Sequence, residues 1–362
     1  MIKKLKRIAK ELLAIPAVRK TYEVANRRVL SAAGATRLGA TLYSFGGFAT
    51  FNREQWAVLS GRGAYYENLR RRRTSHVELR RNVHRLEKGI LMRPRRDAFA
   101  KDYILETVEF YLNALHRAPA DPVMDASEIQ WAHDVLAEYF RLITVADPVV
   151  DRARRAFEAV EHAPTDRSAK PYEHGSIAPS GVTYDQLLAL SRQRRSVRWF
   201  LDKSVDRDLI DKALAIGRQS PSACNRLPYE FLVFDDPDLV HKVSSIPFGC
   251  AGYAHQIPTL IVVKGRLDSY FSPRDRHVVY IDAALASMAF MFALETLGLS
   301  SSVINWPDFE PLERNMAKTL GLAPYERVIM LMAVGHADPT GLVAFSQKKD
   351  LDVLRKFNPL ES

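Results

Sequence analysis

Two short stretches of the chain combine residue types that can hold a phosphorylated ligand. The first, Arg194–Phe200, gathers three arginines and a serine at the end of a predicted helix. Guanidinium groups bind phosphate through paired, charge-assisted hydrogen bonds. The second, Pro221–Asn225, opens a loop before a predicted strand and ends in an amide that can both donate and accept hydrogen bonds. These features predict a bound phosphate with a polyol behind it. The alternative is that the arginines form surface salt bridges with Asp202, Asp206 or Asp208.

The length, composition and charge of the chain limit the class of protein to which it can belong. Its 362 residues, 47% hydrophobic and 26% charged, suit a soluble globular protein of two parts. The net charge of +10 is uneven, because residues 1 to 100 hold 23 Lys and Arg against 7 Asp and Glu. The run Arg70–Arg73 lacks the interleaved aromatics of a nucleic-acid site, so we expect no nucleic-acid partner.

The first residues form a basic amphipathic pattern. Apolar residues from Ile2 to Leu13 recur at helical spacing among lysines. Such a helix can make a peripheral contact with an anionic membrane, or pack on its own protein with a solvated face. No signal peptide is expected, and two cysteines indicate a reducing compartment. The expected location is therefore cytoplasmic, or peripheral at the inner membrane.

The front half of the chain is predicted to be an all-helical domain, residues 1–160. Ser31–Phe51, broken by four glycines, is expected to be a loop or short turns. Helical patterns then follow at Tyr65–Leu91, Tyr103–Leu115, Ala126–Ile143 and Pro148–Val160.

One candidate site lies in this helical half. His84 and Glu87 share a helix face, a spacing that can hold a metal. No second such pair stands nearby, so a salt-bridged surface is favoured and no metal is expected. The other functional interpretation is a cationic helix that guards a pocket for an acidic substrate, with Arg81 and His84 as gate residues.

The sequence changes character after a linker at 161–180, rich in Pro, Ser and His. Thr183 and Gln186 form a predicted capping box, and Ser204 is predicted to cap the next helix. Tyr280–Leu297 is apolar on all sides and predicts a buried helix at a domain core or dimer interface, too short for a convincing membrane span. Short strands are predicted at Glu230–Phe234, Thr259–Val263, Ser300–Ile304 and Val328–Gly335.

These motifs, in this order, resemble the nitroreductase-like flavoproteins, whose pattern reads R-R-S-x-R-x-F and then P-S-x-x-N-x-Q-P-W-x-F. The chain matches it at Arg194–Phe200 and Pro221–Phe231, and the resemblance continues to about Phe357. It implies an α+β fold for residues 181–362, a nitroreductase-like mixed sheet flanked by helices. It leaves the helical front half without a counterpart.

The resemblance also implies a flavoprotein homodimer with FMN bound across its interface. NAD(P)H would reduce the flavin, which would then reduce a quinone, nitro compound or other small electron-poor acceptor. Arg194, Arg195, Ser196 and Arg198 match phosphate and ribityl contacts of one subunit. Contacts from the other subunit are matched by Pro221, Ser222, Ala223 and Asn225, and Lys348 or Lys349 matches a late phosphate-binding residue. No protein side chain is expected to act as catalyst, because the flavin carries the chemistry.

Three positions bear on how the flavin would be held. Leu227 and Tyr229 stand where the family often has Gln and Trp, which puts one polar contact to the flavin in doubt. Asn305 lies in the segment that faces the flavin in the family. Trp306 either stacks on the ring and roofs the pocket or is a core residue.

The sequence therefore predicts an FMN-dependent oxidoreductase whose N-terminal helices shape substrate access. The alternative is a degenerate flavin-binding or non-catalytic interaction module in a membrane-associated or polysaccharide-related assembly. The substrate and the choice between NADH and NADPH stay open.

Overall fold

The computed structural model describes residues 15–44, 51–70, 76–117, 125–162 and 168–359. The predicted basic helix at Ile2–Leu13 lies outside these ranges, as does the run Arg71–Arg73. By its internal contacts the chain divides into two compact units, Met1–Trp56 and Ala57–Ser362. The predicted boundary at 161–180 is a different division, and it stays a prediction.

The first unit is helical where it is described. Helix α1 spans Pro16–Gly34 and helix α2 spans Arg37–Tyr43. Proline suits the first helical turn, and the Thr36 side chain caps α2 by accepting a 3.0 Å hydrogen bond from Gly39 N. The expectation of a loop or short turns was therefore wrong for residues 31–44, and residues 45–50 lie outside the described ranges. Gly34 ends one helix and Gly39 lies in the first turn of the next, so these glycines mark helix ends within a helical segment.

Five helices open the second unit. The last four pack mainly on one another, whereas the first packs through Ala57 and Gly61 on Leu267 of the core. The apolar stripe Leu79, Val83 and Leu86 is buried, as predicted, against Ile104 and Leu136 of neighbouring helices. The pattern predicted across Tyr65–Leu91 divides between two of them. The helices are α3 (Asn52–Arg70), which begins in the first unit, α4 (His76–Leu91), α5 (Ile104–Arg117), α6 (Ala126–Leu142) and α7 (Pro148–Glu158).

An α+β core follows, and it confirms the predicted fold class. The four strands are β1 (Tyr229–Phe234), β2 (Thr259–Arg266), β3 (Ser300–Asn305) and β4 (Glu326–Gly335). They form one antiparallel sheet in the order β1-β2-β4-β3. Within the described residues the mixed character of the sheet is limited to one parallel bridge, Ser196 with Ser301.

Six α-helices belong to this part of the chain. They are α8 (Tyr184–Gln193), α9 (Arg207–Gly217), α10 (Pro237–Ser244), α11 (Val278–Thr296), α12 (Glu310–Leu320) and α13 (Leu351–Leu354). The capping box of Thr183 and Gln186 is present at α8. The cap of α9 is Asp206 instead of Ser204, because the Asp206 carboxylate adjoins the first turn and accepts from Asp208 N.

Helix α11 packs its inner face on the sheet. Phe290 and Leu294 are fully buried, and the close approach of α9 is permitted by Gly217, where an added Cβ would lie 3.2 Å from Ala286 O. Among the described residues, one stretch, Pro273–Thr296, is long and apolar enough to cross a membrane. Half of the apolar window within it is nevertheless buried in the protein.

Candidate functional site

The backbone of Arg194–Phe200 is held by the sheet and by one glutamine. The segment leaves α8 and runs beside β3, where Val197 N donates to Ser301 O at 3.1 Å. Gln256 then holds it from the other side. Its amide oxygen accepts from Phe200 N at 2.8 Å, and its amide nitrogen donates to Arg198 O. The side chains of this segment therefore project from a fixed backbone.

The arginines of this segment form no ion pair with any described residue. No carboxylate oxygen of the described part lies within 4.0 Å of the guanidinium nitrogens of Arg194, Arg195 or Arg198. Arg198 is exposed, and Ser196 is half-buried beside it. The salt-bridge alternative with Asp202, Asp206 or Asp208 is thus not realised. Guanidinium groups left without acid partners on a fixed backbone suit a phosphate dianion.

The loop Pro221–Asn225 adopts an unusual backbone. Cys224, Asn225 and Leu227 all have left-handed φ values, at 55°, 51° and 49°. That conformation costs a residue with a Cβ about 1 kcal/mol or more, so it persists only where neighbours enforce it. Ser222 Oγ accepts from Leu227 N at 3.1 Å, and Asp282 of α11 accepts from Ala223 N at 3.0 Å. Strained backbone of this kind is typical of ligand-binding loops.

Helix α4 contacts this loop directly through Arg80. Its Nε donates to Asn225 O at 2.7 Å, and its Nη1 forms a 3.1 Å ion pair with Glu128 of α6. The helical part of the second unit is thereby tied to the predicted cofactor loop.

Arg81 and His84, the two residues of α4 predicted from the sequence to act as gates, contact neighbouring side chains in the structure. Arg81 pairs with Glu78 at 3.3 Å and lies over the Phe271 ring, 5.1 Å from its centroid. His84 Nδ1 lies within hydrogen-bond distance of Glu87 Oε2, at 3.1 Å, so the structure brings the two predicted partners together. No cluster of three or more potential ligands for a metal occurs in the described ranges. A gating role for Arg81 and His84 stays a prediction.

The two predicted halves of the site lie far apart within one chain. Asp282 holds the Ala223 loop, whereas Glu295, 13 residues further along α11, accepts from Gln193 beside the arginine segment at 3.5 Å. At 1.5 Å per helical residue, Asp282 and Glu295 lie about 20 Å apart along α11. Burial raises the pKa of both carboxyl groups.

The remaining predicted residues are dispersed. Asn305 ends β3 and is exposed. Trp306 is only 8% exposed, and its Nε1 donates to Glu313 at 2.6 Å within the core, an arrangement that favours a packing role. Lys348 is exposed in a segment without regular secondary structure near the C-terminus and forms no ion pair with described residues.

Sequence reasoning missed four residues that the structure places around the loops. They are Arg80, Arg226, Gln256 and Asp282. Arg80 and Arg226 adjoin residues that were named, but a spacing pattern cannot show which neighbour points inward. Asp282 had a usable signal, because it is an acid on an otherwise apolar helix, and a buried carboxylate needs a partner.

The chain is similar to several known proteins. Residues 191–251 and 239–336 match the model of the Nitroreductase family. Human iodotyrosine deiodinase 1 is 23% identical over 267 residues, which covers 66% of this chain and 89% of the human protein. The Pongo abelii iodotyrosine deiodinase 1 is 24% identical over 235 residues, covering 57% and 78%. The solved structure of an FMN-dependent nitroreductase from Clostridium difficile R20291 is 21% identical, covering 47% of this chain and 98% of that one with a TM-score of 0.41.

Residues 191–336 therefore match the Nitroreductase family, which confirms the resemblance for this part of the chain. The helical extension that precedes them lies outside the matched residues.

Proposed function

We propose that this protein is an FMN-dependent oxidoreductase that passes electrons from NAD(P)H through bound flavin to a small electron-poor acceptor. The observation that carries the proposal is the set of guanidinium groups at Arg194, Arg195 and Arg198, which form no ion pair with described residues and extend from a backbone held by the sheet and by Gln256. These residues lie within the part that matches the Nitroreductase family.

The donor set suits FMN. Arg194, Arg195 and Arg198 would hold its phosphate, Ser196 would contact the ribityl chain, and Lys348 would add an ammonium group. The flavin would supply the capacity to accept and donate hydride. The protein would bind and orient it, and Asn225 offers both a donor and an acceptor to a ring edge.

The proposed cofactor site requires a homodimer. Within one chain about 20 Å of α11 separates the loop at Ala223 from the arginine segment, so a single FMN would meet both only where two copies associate. The outer face of α11 suits such an association, because Ile281 and Leu285 are exposed on it. Exposed apolar residues also recur along the C-terminal segment, at Leu342, Phe345 and Phe357.

The helical part would shape access to the flavin. Arg80 ties α4 to the backbone of the Asn225 loop, so the helices lie beside the predicted cofactor loop. A cytoplasmic location remains part of this proposal.

Rapid mixing under anaerobic conditions tests the reductase activity. We expect NADH or NADPH to bleach the flavin band near 450 nm, and a quinone or nitroarene to restore it. An Arg198→Gln protein depleted of flavin serves as the baseline. Bound flavin that neither donor reduces would instead favour the non-catalytic interaction module.

A second candidate is reductive removal of halogen from an aromatic ring. The match to human iodotyrosine deiodinase 1 covers 66% of this chain, more than the half that residues 181–362 supply, so it extends into the helical part. The name of that relative describes removal of iodine from iodotyrosine. Dithionite-reduced protein should then release iodide from 3-iodotyrosine in proportion to its flavin content, and absence of iodide release would leave only the first candidate.

A further inference from the structure

A cavity of about 320 Å³ lies between the helical part and the α+β core of the second unit. Its helical wall includes Tyr65 and Arg80, and its other wall is the chain entering β1, with Arg226, Leu227 and Tyr229. Leu227 and Tyr229 are the two positions at which this chain departs from the nitroreductase pattern. Both of these residues therefore line the same cavity, and the volume of the cavity falls in the range of small-molecule sites.

Arg226 is a buried cation that forms no ion pair: Asp282 interacts with it electrostatically from beyond ion-pair distance, and its guanidinium carbon lies 5.2 Å from the centroid of the Tyr270 ring. The Arg226 side chain is only 6% exposed, yet no described carboxylate oxygen lies within 4.0 Å of its nitrogens. Its Nε has no hydrogen-bond partner, and its Nη1 reaches only Ala223 O at 3.3 Å. Burying an unpaired guanidinium is unfavourable, so the arrangement suits an anion supplied from outside the chain.

The other charges around the cavity are already paired. Arg80 pairs with Glu128 at 3.1 Å, and Arg266 pairs with Asp268 at 2.7 Å. Glu230 is bound by Lys264 at 3.1 Å. Since Arg226 is the remaining unpaired cation of this lining, a ligand with one negative charge balances it. A phosphate dianion would face three carboxylates with only one unpaired cation, which disfavours it.

Tyr229 adds a second polar group and an aromatic surface. Its hydroxyl oxygen is buried and makes no hydrogen bond within the described part of the chain. Leu227, Val77 and the Tyr65 ring supply apolar walls. We infer that this cavity binds a small organic monocarboxylate with an apolar or aromatic body, whose carboxylate pairs with Arg226 and accepts a hydrogen bond from Tyr229. The inference depends on residues of one chain and does not require the proposed flavin chemistry.

Calorimetric titration of the full-length protein as purified tests this site. The probes are acetate, benzoate and 4-hydroxyphenylacetate, with benzamide as the uncharged match of benzoate and inorganic phosphate as the competing anion. We expect the ring-bearing carboxylates to bind and benzamide and phosphate not to bind. Arg226→Gln should weaken carboxylate binding about tenfold or more, and Tyr229→Phe by a few-fold.

Two control variants separate this site from the proposed flavin site. Arg218→Gln removes an exposed arginine and should leave carboxylate binding unchanged. Arg198→Gln should reduce flavin retention but leave carboxylate binding intact. Failure of every carboxylate to bind, equal binding of benzamide, or binding that survives in both Arg226→Gln and Tyr229→Phe would each overturn the inference. None of these results would bear on flavin reduction.

Discussion

Asp282 and Glu295 lie at opposite ends of helix α11. Each accepts a hydrogen bond from a residue in or next to one half of the predicted cofactor site. Asp282 accepts from Ala223 N at 3.0 Å, and Glu295 accepts from Gln193 Nε2 at 3.5 Å. The helix therefore fixes the distance between the two halves within a chain. A second copy is the simplest means by which one FMN can meet both.

Leu285→Glu tests the association of two copies. Leu285 is 45% exposed on the outer face of α11, so the change should spare the fold of the chain while placing a charge in the proposed interface. Light scattering after gel filtration should show a monomer with little bound flavin. Leu239→Glu on α10, a leucine 46% exposed, should remain a dimer that retains flavin. A flavin-loaded monomer would contradict the shared site.

Arg198→Gln tests the phosphate contact. Removing one charged donor to a phosphate should cost about 1.5–3 kcal/mol of binding free energy, or roughly tenfold to a hundredfold in the FMN dissociation constant. Fluorescence titration of protein depleted of flavin gives that constant. Arg192→Gln, an exposed arginine at the end of α8, is the matched control. Equal affinities in the two variants would remove Arg198 from the site.

Gly61→Ala tests the packing of α3 on the core. An added Cβ would lie 2.8 Å from the Leu267 backbone, so we expect a loss of about 1–3 kcal/mol in the free energy of unfolding. Gly63→Ala, in the same helix with open space around it, should gain roughly 0.5–1 kcal/mol. Urea denaturation measures both. Similar effects of the two substitutions would mean that α3 does not pack closely on Leu267.

Trp306→Phe distinguishes the two roles considered for that indole. If Trp306 is a core residue, losing its hydrogen bond to Glu313 should lower the free energy of unfolding by about 1–2 kcal/mol. The rate of flavin reduction should then stay within about twofold of that of the wild type. A large change in that rate with unaltered stability would instead assign the indole to the flavin pocket.

Asp282→Asn tests the effect of burial on that carboxyl group. Because burial raises the pKa of Asp282 in the folded state, the native protein holds a proton that the unfolded chain releases. The stabilisation is complete below the unfolded pKa near 4 and is lost as the pH rises through the folded pKa. As the pH rises above about 4, Asp282→Asn should therefore show a shallower decline in unfolding free energy than the wild type. An equally steep decline in Asp282→Asn would contradict a raised pKa at this position.

Much of the α+β core could be predicted from local patterns. Each of the four predicted strands contains β-branched residues in a short run, and each forms within a few residues of its predicted bounds. The capping box at Thr183 needs only neighbouring residues, so it too was predictable. Gly34 and Gly39 misled the prediction because glycine marks both loops and helix ends.

The candidate site was predictable only in part. The sequence indicates Arg194–Phe200 and Pro221–Asn225, but not that α11 holds them apart. Arg80 reaches Asn225 across 145 residues of chain, and such a contact leaves no periodic signal. The lack of an ion-pair partner for Arg226 depends on what surrounds it in space, which a sequence pattern does not record.

The most direct test of the account is the absorbance spectrum of the purified protein, with mass identification of the cofactor it releases. The account predicts a yellow protein with flavin bands and one FMN released per chain. Colourless protein that stays colourless after incubation with FMN would contradict it.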